Sequence, residues 1–179
     1  SSLVDRKCTE QIVAHGFIVD EYNEKLSKSR GNFMALDELY EKYNPDVLRL
    51  WICMSDFKKD LVFSEKSIQN AVQHYFKFRN YLRYLVNNLY VEDNHYWDES
   101  LEELDGELKK LKNAVQFAVQ STREYRTGLN LCYDFLARYS SKLTENIKNE
   151  FYESPLDSDF RKKYEKQFQL VLDYTVNLL

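Results

Sequence analysis

Glycine and proline are scarce here: 179 residues hold only 4 of one and 2 of the other. These residues most often end helices, so their scarcity excludes a turn-rich β architecture and predicts long helices. Cysteine is thin as well. Cys8, Cys53 and Cys132 are odd in number and lack metal-ligand spacing, which excludes a disulfide framework and a zinc site. They read as reduced thiols of a cytosolic protein, and no metal ligands are expected. No uncharged run approaches the roughly 20 residues of a membrane helix, and no signal sequence begins the chain. A soluble, cytoplasmic protein with no membrane partner is expected. Positive charge is also in deficit, with 25 Lys and Arg against 29 Asp and Glu, a net charge of −4. That balance excludes a grip on nucleic acid by bulk electrostatics, so any RNA contact must come from a local patch.

What stands out is one short stretch, Lys25-Leu26-Ser27-Lys28-Ser29-Arg30-Gly31-Asn32. It carries two lysines three apart among small hydroxyl residues and ends at a glycine. Such a loop can move, its backbone can approach a ligand closely, and its ammonium groups supply point charges for phosphate oxygens. The chemistry suggests a triphosphate. In a chain that is 30% charged, a solvated turn has the same composition.

The wording of the stretch resembles the KMSKS signature loop of the class I aminoacyl-tRNA synthetases, and His15 to Asp20 resembles the strand that leads into it. Leu26 stands where the family has Met, a volume-conserving exchange that rarely costs more than about 1.5 kcal/mol. Further along, Tyr43 to Trp51, then Ser55-Asp56, Asp60, Ser64-Glu65 and Arg79 to Leu89 resemble, in that order, the isoleucyl branch more than the valyl, leucyl or methionyl branches. The resemblance implies that Lys25 and Lys28 are catalytic, and that both bind ATP together with Ser27, Ser29 and Gly31. It also implies Mg2+ with the ATP, tRNA and isoleucine as partners, and a monomer. The family's HIGH motif and its editing insert have no counterpart here. The chain is therefore expected to be a fragment that is inactive by itself. The alternatives are a fragment of the valyl, leucyl or methionyl branch, or a non-catalytic helical module that binds RNA or protein.

Residue patterns organise the remainder. Ile12 to Val19 predicts a strand and Asp20 to Asn23 a turn. A short helix is expected from Leu36 to Tyr43. Asn44 then caps another, with Pro45 at the first position, where its missing N–H costs nothing. Ser64 caps a long helix whose stripe runs Ile68, Ala71, Val72, Tyr75, Phe78, Leu82, Leu85, Val86 and Leu89. Arg79 falls beside that stripe and calls for a buried partner. Leu101 to Tyr125 predicts a second long helix ending near Gly128, Leu131 to Phe151 a third, and Phe160 to Leu179 a fourth after the break at Ser154-Pro155.

These elements predict a mainly α fold, an antiparallel helical bundle with a small α/β remnant at the N-terminus. By resemblance the domains are 1–35, the tail of a catalytic Rossmann-type domain; 36–63, a helical connector; and 64–179, an anticodon-binding bundle. Lys77, Tyr81, Arg83 and Tyr84 interleave basic and aromatic groups on the long helix, a pattern suited to tRNA. The acidic run from Glu92 to Glu107 should face away from RNA and sit at a helix start. His15 is assigned no catalytic role.

Overall fold

A computed structural model describes residues 12–32, 35–90 and 94–178. The order of elements is β1 (Ile18–Val19), a 3-10 turn (Lys28–Arg30), α1 (Leu36–Lys42), α2 (Pro45–Cys53), β2 (Leu61–Val62) and α3 (Glu65–Asn87). Then come α4 (Glu99–Gln116), a π-helical turn (Phe117–Ser121), α5 (Tyr125–Asn146), α6 (Lys148–Glu153) and α7 (Asp159–Val176). The fold is mainly α. It divides into two compact units, residues 1–68 and 69–179, the boundary lying within α3.

In the first unit, β1 and β2 pair in parallel, Ile18 with Leu61 and Val19 with Val62. Parallel strands need a long crossover, and α1 and α2 provide it. Gly16 donates its N–H to Phe57 O at 2.9 Å, and a Cβ there would lie 2.2 Å from Lys59 O, so only glycine permits the approach. Asp60 accepts the Phe17 N–H at 2.8 Å. The expected strand from Ile12 is much shorter than its composition implies. A β-branched run makes a strand only where it meets a pleated, half-buried surface. Val19 is 3% exposed whereas Ile12 is 85% exposed. Asn44 caps α2 by accepting the Asp46 N–H at 2.8 Å, and Ser64 accepts the Ser67 N–H at 3.1 Å at the start of α3.

The second unit is a helical bundle around one apolar core. His74 and Phe78 of α3 both meet Tyr133 of α5. Asp98 at the start of α4 bonds Lys163 near the start of α7, and Asp105 further along α4 accepts from Tyr174 further along α7. α4 and α7 therefore run parallel. The core holds Leu85, Leu108, Phe135, Phe151, Phe168 and Val171, with Phe151 and Phe168 rings 5.2 Å apart.

Three expectations about this unit need correction. Gly128 does not end the second helix but lies inside α5. The break occurs earlier, at the π-helical turn and Arg123, which takes φ 57° without being glycine. The expected third helix is two, α5 and α6, separated at Ile147. Val86 and Arg79 are exposed, so the stripe of α3 is narrower than the apolar spacing implied and the Arg79 guanidinium stands in solvent and not in a buried pair. The buried guanidinium belongs to Arg161, 5% exposed. Its Nε donates to Glu165 at 3.0 Å, its Nη1 to Phe151 O at 2.8 Å, and it lies 4.0 Å over the Phe151 ring. Glu165 in turn accepts the Tyr90 N–H at 3.1 Å, fastening the stretch after α3 to α7.

Candidate functional site

Local geometry around the two lysines follows from a few polar side chains. Asp20 ends β1, and its Oδ1 accepts the N–H groups of Tyr22 at 3.0 Å and Glu24 at 2.9 Å, folding the expected turn. Asn23 sits at φ 61°, a left-handed conformation that asparagine tolerates better than most residues. Leu26 N–H returns to Ile18 O at 3.1 Å, so the stretch leaves the turn alongside β1. Its side chain, with Ile18, Leu48, Trp51, Ile52 and Phe63, lines an apolar pocket of about 340 Å³. The residue at the family's Met position is thus an apolar anchor, as a Leu-for-Met exchange allows.

Beyond the anchor the chain turns outward. Lys28 to Arg30 form the 3-10 turn, and Gly31 closes it at φ 74° by donating its N–H to Lys28 O at 3.3 Å. A side chain at that φ would be strained. The Ser27 and Ser29 hydroxyls bond each other at 2.9 Å. Lys25, Lys28 and Ser29 are exposed, and the Lys25 ammonium lies 4.2 Å over the Phe17 ring. All five residues implicated in ATP binding therefore fall on one surface turn, held from beneath.

Asn32 does the holding at the far end. Its Oδ1 accepts the Ser27 N–H at 2.9 Å, and its Nδ2 donates to Asp20 Oδ2 at 2.9 Å. The Asn32 amide, with the Glu24 N–H, draws the Asp20 carboxyl below its ordinary value. Arg30 and Glu24 pair across the loop at 3.3 Å, both well exposed.

Residues 2–64, which contain this loop, match the family described as tRNA synthetases class I (I, L, M and V). The chain belongs to the class I tRNA synthetases. It is 30% identical to the isoleucine–tRNA ligase of Natranaerobius thermophilus, over 94% of this chain and 19% of that protein. With the isoleucine–tRNA ligase of Mycoplasma mobile it shares 31% identity, over 89% of this chain and 18% of the relative. For the Fervidobacterium nodosum isoleucine–tRNA ligase the figures are 32%, 94% and 19%. This class I synthetase chain spans about a fifth of the length of the curated relatives it matches.

The other site expected in this class I synthetase chain is less coherent. Lys77 and Arg83 are exposed on α3, but Tyr81 and Tyr84 pack against the bundle core. Among the described residues the buried Tyr81 hydroxyl finds no hydrogen-bond partner, and burial pushes its pKa far up. Tyr84 meets Phe168 at 5.8 Å, and Asn88, on the same line, is 5% exposed. The aromatic members of the expected tRNA face thus serve the core, while the basic members stay in solvent.

The acidic run behaves as a helix start. Asp98 caps α4 by accepting the Leu101 N–H at 3.0 Å, and it also accepts from Ser100 and pairs with Lys163 at 2.8 Å. Glu92 and Asp93 lie outside the described residues, as does Cys8. His15 is exposed, with a ring nitrogen 2.7 Å from Gly16 O. Cys53 and Cys132 are free thiols, and burial raises that of Cys132 to about 11. Among the described residues no group of three or more His, Cys, Asp or Glu is placed to hold a metal ion. Nor is any helix long and apolar enough to cross a membrane. Asp20 and Asn32 went unassigned in the sequence. The signal that could have found them is a turn-forming Asp before the lysines and an Asn directly after the glycine, which frame the loop.

Proposed function

We propose that this chain is the part of an isoleucine–tRNA ligase that carries the phosphate-binding loop and the helical module that meets tRNA. The observation that carries the reading is the two-lysine stretch, exposed on a braced turn, in a chain about 30% identical to isoleucine–tRNA ligases along most of its length. In the proposed reaction the isoleucine carboxylate attacks the α-phosphate of ATP and pyrophosphate leaves. Lys28 and Lys25 stabilise the negative charge that develops on the departing pyrophosphate, an electrostatic role closed to neutral side chains. Ser27, Ser29 and the Gly31 backbone orient the loop. Mg2+ accompanies ATP in the longer protein, and the described residues offer no group of three or more His, Cys, Asp or Glu to hold it.

Residues 1–35 are assigned to the catalytic domain, 36–63 to a connector and 64–179 to the tRNA-binding bundle of a cytoplasmic monomer. Lys77 and Arg83 are the proposed phosphate contacts on α3. The decisive experiment replaces Lys28 by Ala in the longer enzyme and follows ATP–pyrophosphate exchange with isoleucine. The rate should fall about 10²-fold, the scale of losing one transition-state donor. A fall of less than twofold removes the catalytic assignment. The chain alone should show no exchange with any amino acid.

A further inference from the structure

The lysine loop is bracketed by a clasp that no part of the proposed reaction assigns. Three separate points of the loop converge on two side chains. Asp20 Oδ1 takes the N–H groups of Tyr22 and Glu24, which precede Lys25. Asp20 Oδ2 takes the Nδ2 of Asn32, which follows Gly31. Asn32 Oδ1 then takes the Ser27 N–H from the middle of the loop, and its Nδ2 also lies 3.5 Å from Lys25 O. Entry, centre and exit are tied to one carboxylate–amide pair, whereas Lys25 and Lys28 project from the segment between these ties.

The pair is sparing in its supports. Asp20 and Asn32 are partly buried, and both border an open pocket of about 360 Å³ with Lys42, Tyr43 and Glu65. Exposed ion pairs contribute little. Hydrogen bonds donated to the Asp20 carboxylate, which are stronger than neutral ones, thus join the main-chain bonds in setting the loop's conformation.

We infer that Asp20 and Asn32 are positioning residues of the phosphate loop: they set where Ser27 and the two ammonium groups stand, without touching the nucleotide. This rests on the loop's being the phosphate loop of an amino-acid-activating enzyme. Misplacing a group by about 1 Å can cost about 10²-fold in rate, so a loosened clasp is expected to lower turnover and leave affinity for the amino acid unchanged.

The test has two readouts. Amide hydrogen exchange in this chain should show the Ser27 N–H exchanging about tenfold faster in Asn32→Ala, the scale of losing one hydrogen bond, with amides of α4 and α5 unchanged. In the longer enzyme the same substitution should lower kcat for ATP–pyrophosphate exchange about tenfold and leave KM for isoleucine within about twofold. Asn32→Asp alone places two carboxylates together and should act like Asn32→Ala. The double exchange, Asp20→Asn with Asn32→Asp, restores one donor facing one acceptor and should recover both readouts. Unchanged Ser27 exchange in Asn32→Ala, or no recovery in the double exchange, overturns the clasp. Faster Ser27 exchange with kcat unchanged overturns the positioning role. Lys28→Ala, run alongside, reports separately on the function itself, because it leaves the clasp bonds intact.

Discussion

Around the lysines, order comes from a handful of hydrogen bonds at the surface; in the helical unit it comes from buried rings and one buried ion pair. The first unit exposes Ile12, Phe17, Tyr22 and Ile52, and its strands pair over only two residues each. The second encloses Phe151, Phe168, Leu85 and Val171 almost completely. Apolar burial is non-directional and scales with area, so a bundle gains stability without specifying fine geometry. Hydrogen bonds contribute less net free energy but fix angles and distances. A loop that must place two charges relies on the second kind, and a scaffold relies on the first.

The largest effect is expected where the scaffold departs from its own rule. Arg161→Met strands the Glu165 carboxylate in the bundle and should cost about 3–5 kcal/mol in chemical denaturation of this chain. Adding Glu165→Leu should recover most of that loss, because a pair replaced by apolar groups is often neutral. If the double variant is as unstable as the single one, the pair contributes through the Phe151 and Tyr90 backbone contacts and not through mutual charge.

Acid should weaken the helical unit next. Burial alone would raise the Asp98 carboxyl, but bonds from Lys163, Ser100 and the Leu101 N–H outweigh it and hold it at about 2, below the ordinary 3.8. A depressed folded pKa contributes stability that is present above 3.8 and lost as pH falls from there toward 2. Lys163 is raised, so its share is present at neutral pH and lost only above the ordinary 10.5. Asp98→Asn should flatten the acid limb of stability measured by circular dichroism. An unaltered limb would show that the capping bond carries no linkage.

The smallest effect belongs to the rim of the loop. Arg30→Ala removes the exposed pair with Glu24 and should change thermal stability by less than about 1 kcal/mol. Ser27 amide exchange should stay as it was. A marked rise would mean that the ion pair, and not the clasp, braces the lysines.

Much of this was legible in the residues, unevenly. Asn44-Pro45 and Ser64 announced two helix starts because capping is local chemistry. The turn after Val19 was equally plain. Gly128 misled because the π-helical turn and the left-handed Arg123 make the break several residues earlier, a choice settled by packing. Arg161 and Glu165, four apart on a helix, have the spacing of an ordinary surface pair, and it is α6 and the stretch after α3 that bury them. Tyr81 and Tyr84 read as an RNA face because spacing cannot tell a helix's wet aromatics from its dry ones. Asp20 and Asn32 are twelve residues apart, and nothing in their spacing says that they meet.

By itself the order of residues determined the helical class, the break points at capping residues and the family of the lysine loop, since each depends on neighbours within a few positions. Folding alone decided which charges are buried, which aromatics face solvent and which two polar side chains close the loop. Those outcomes depend on what distant segments place alongside, and water is excluded only after the segments have met.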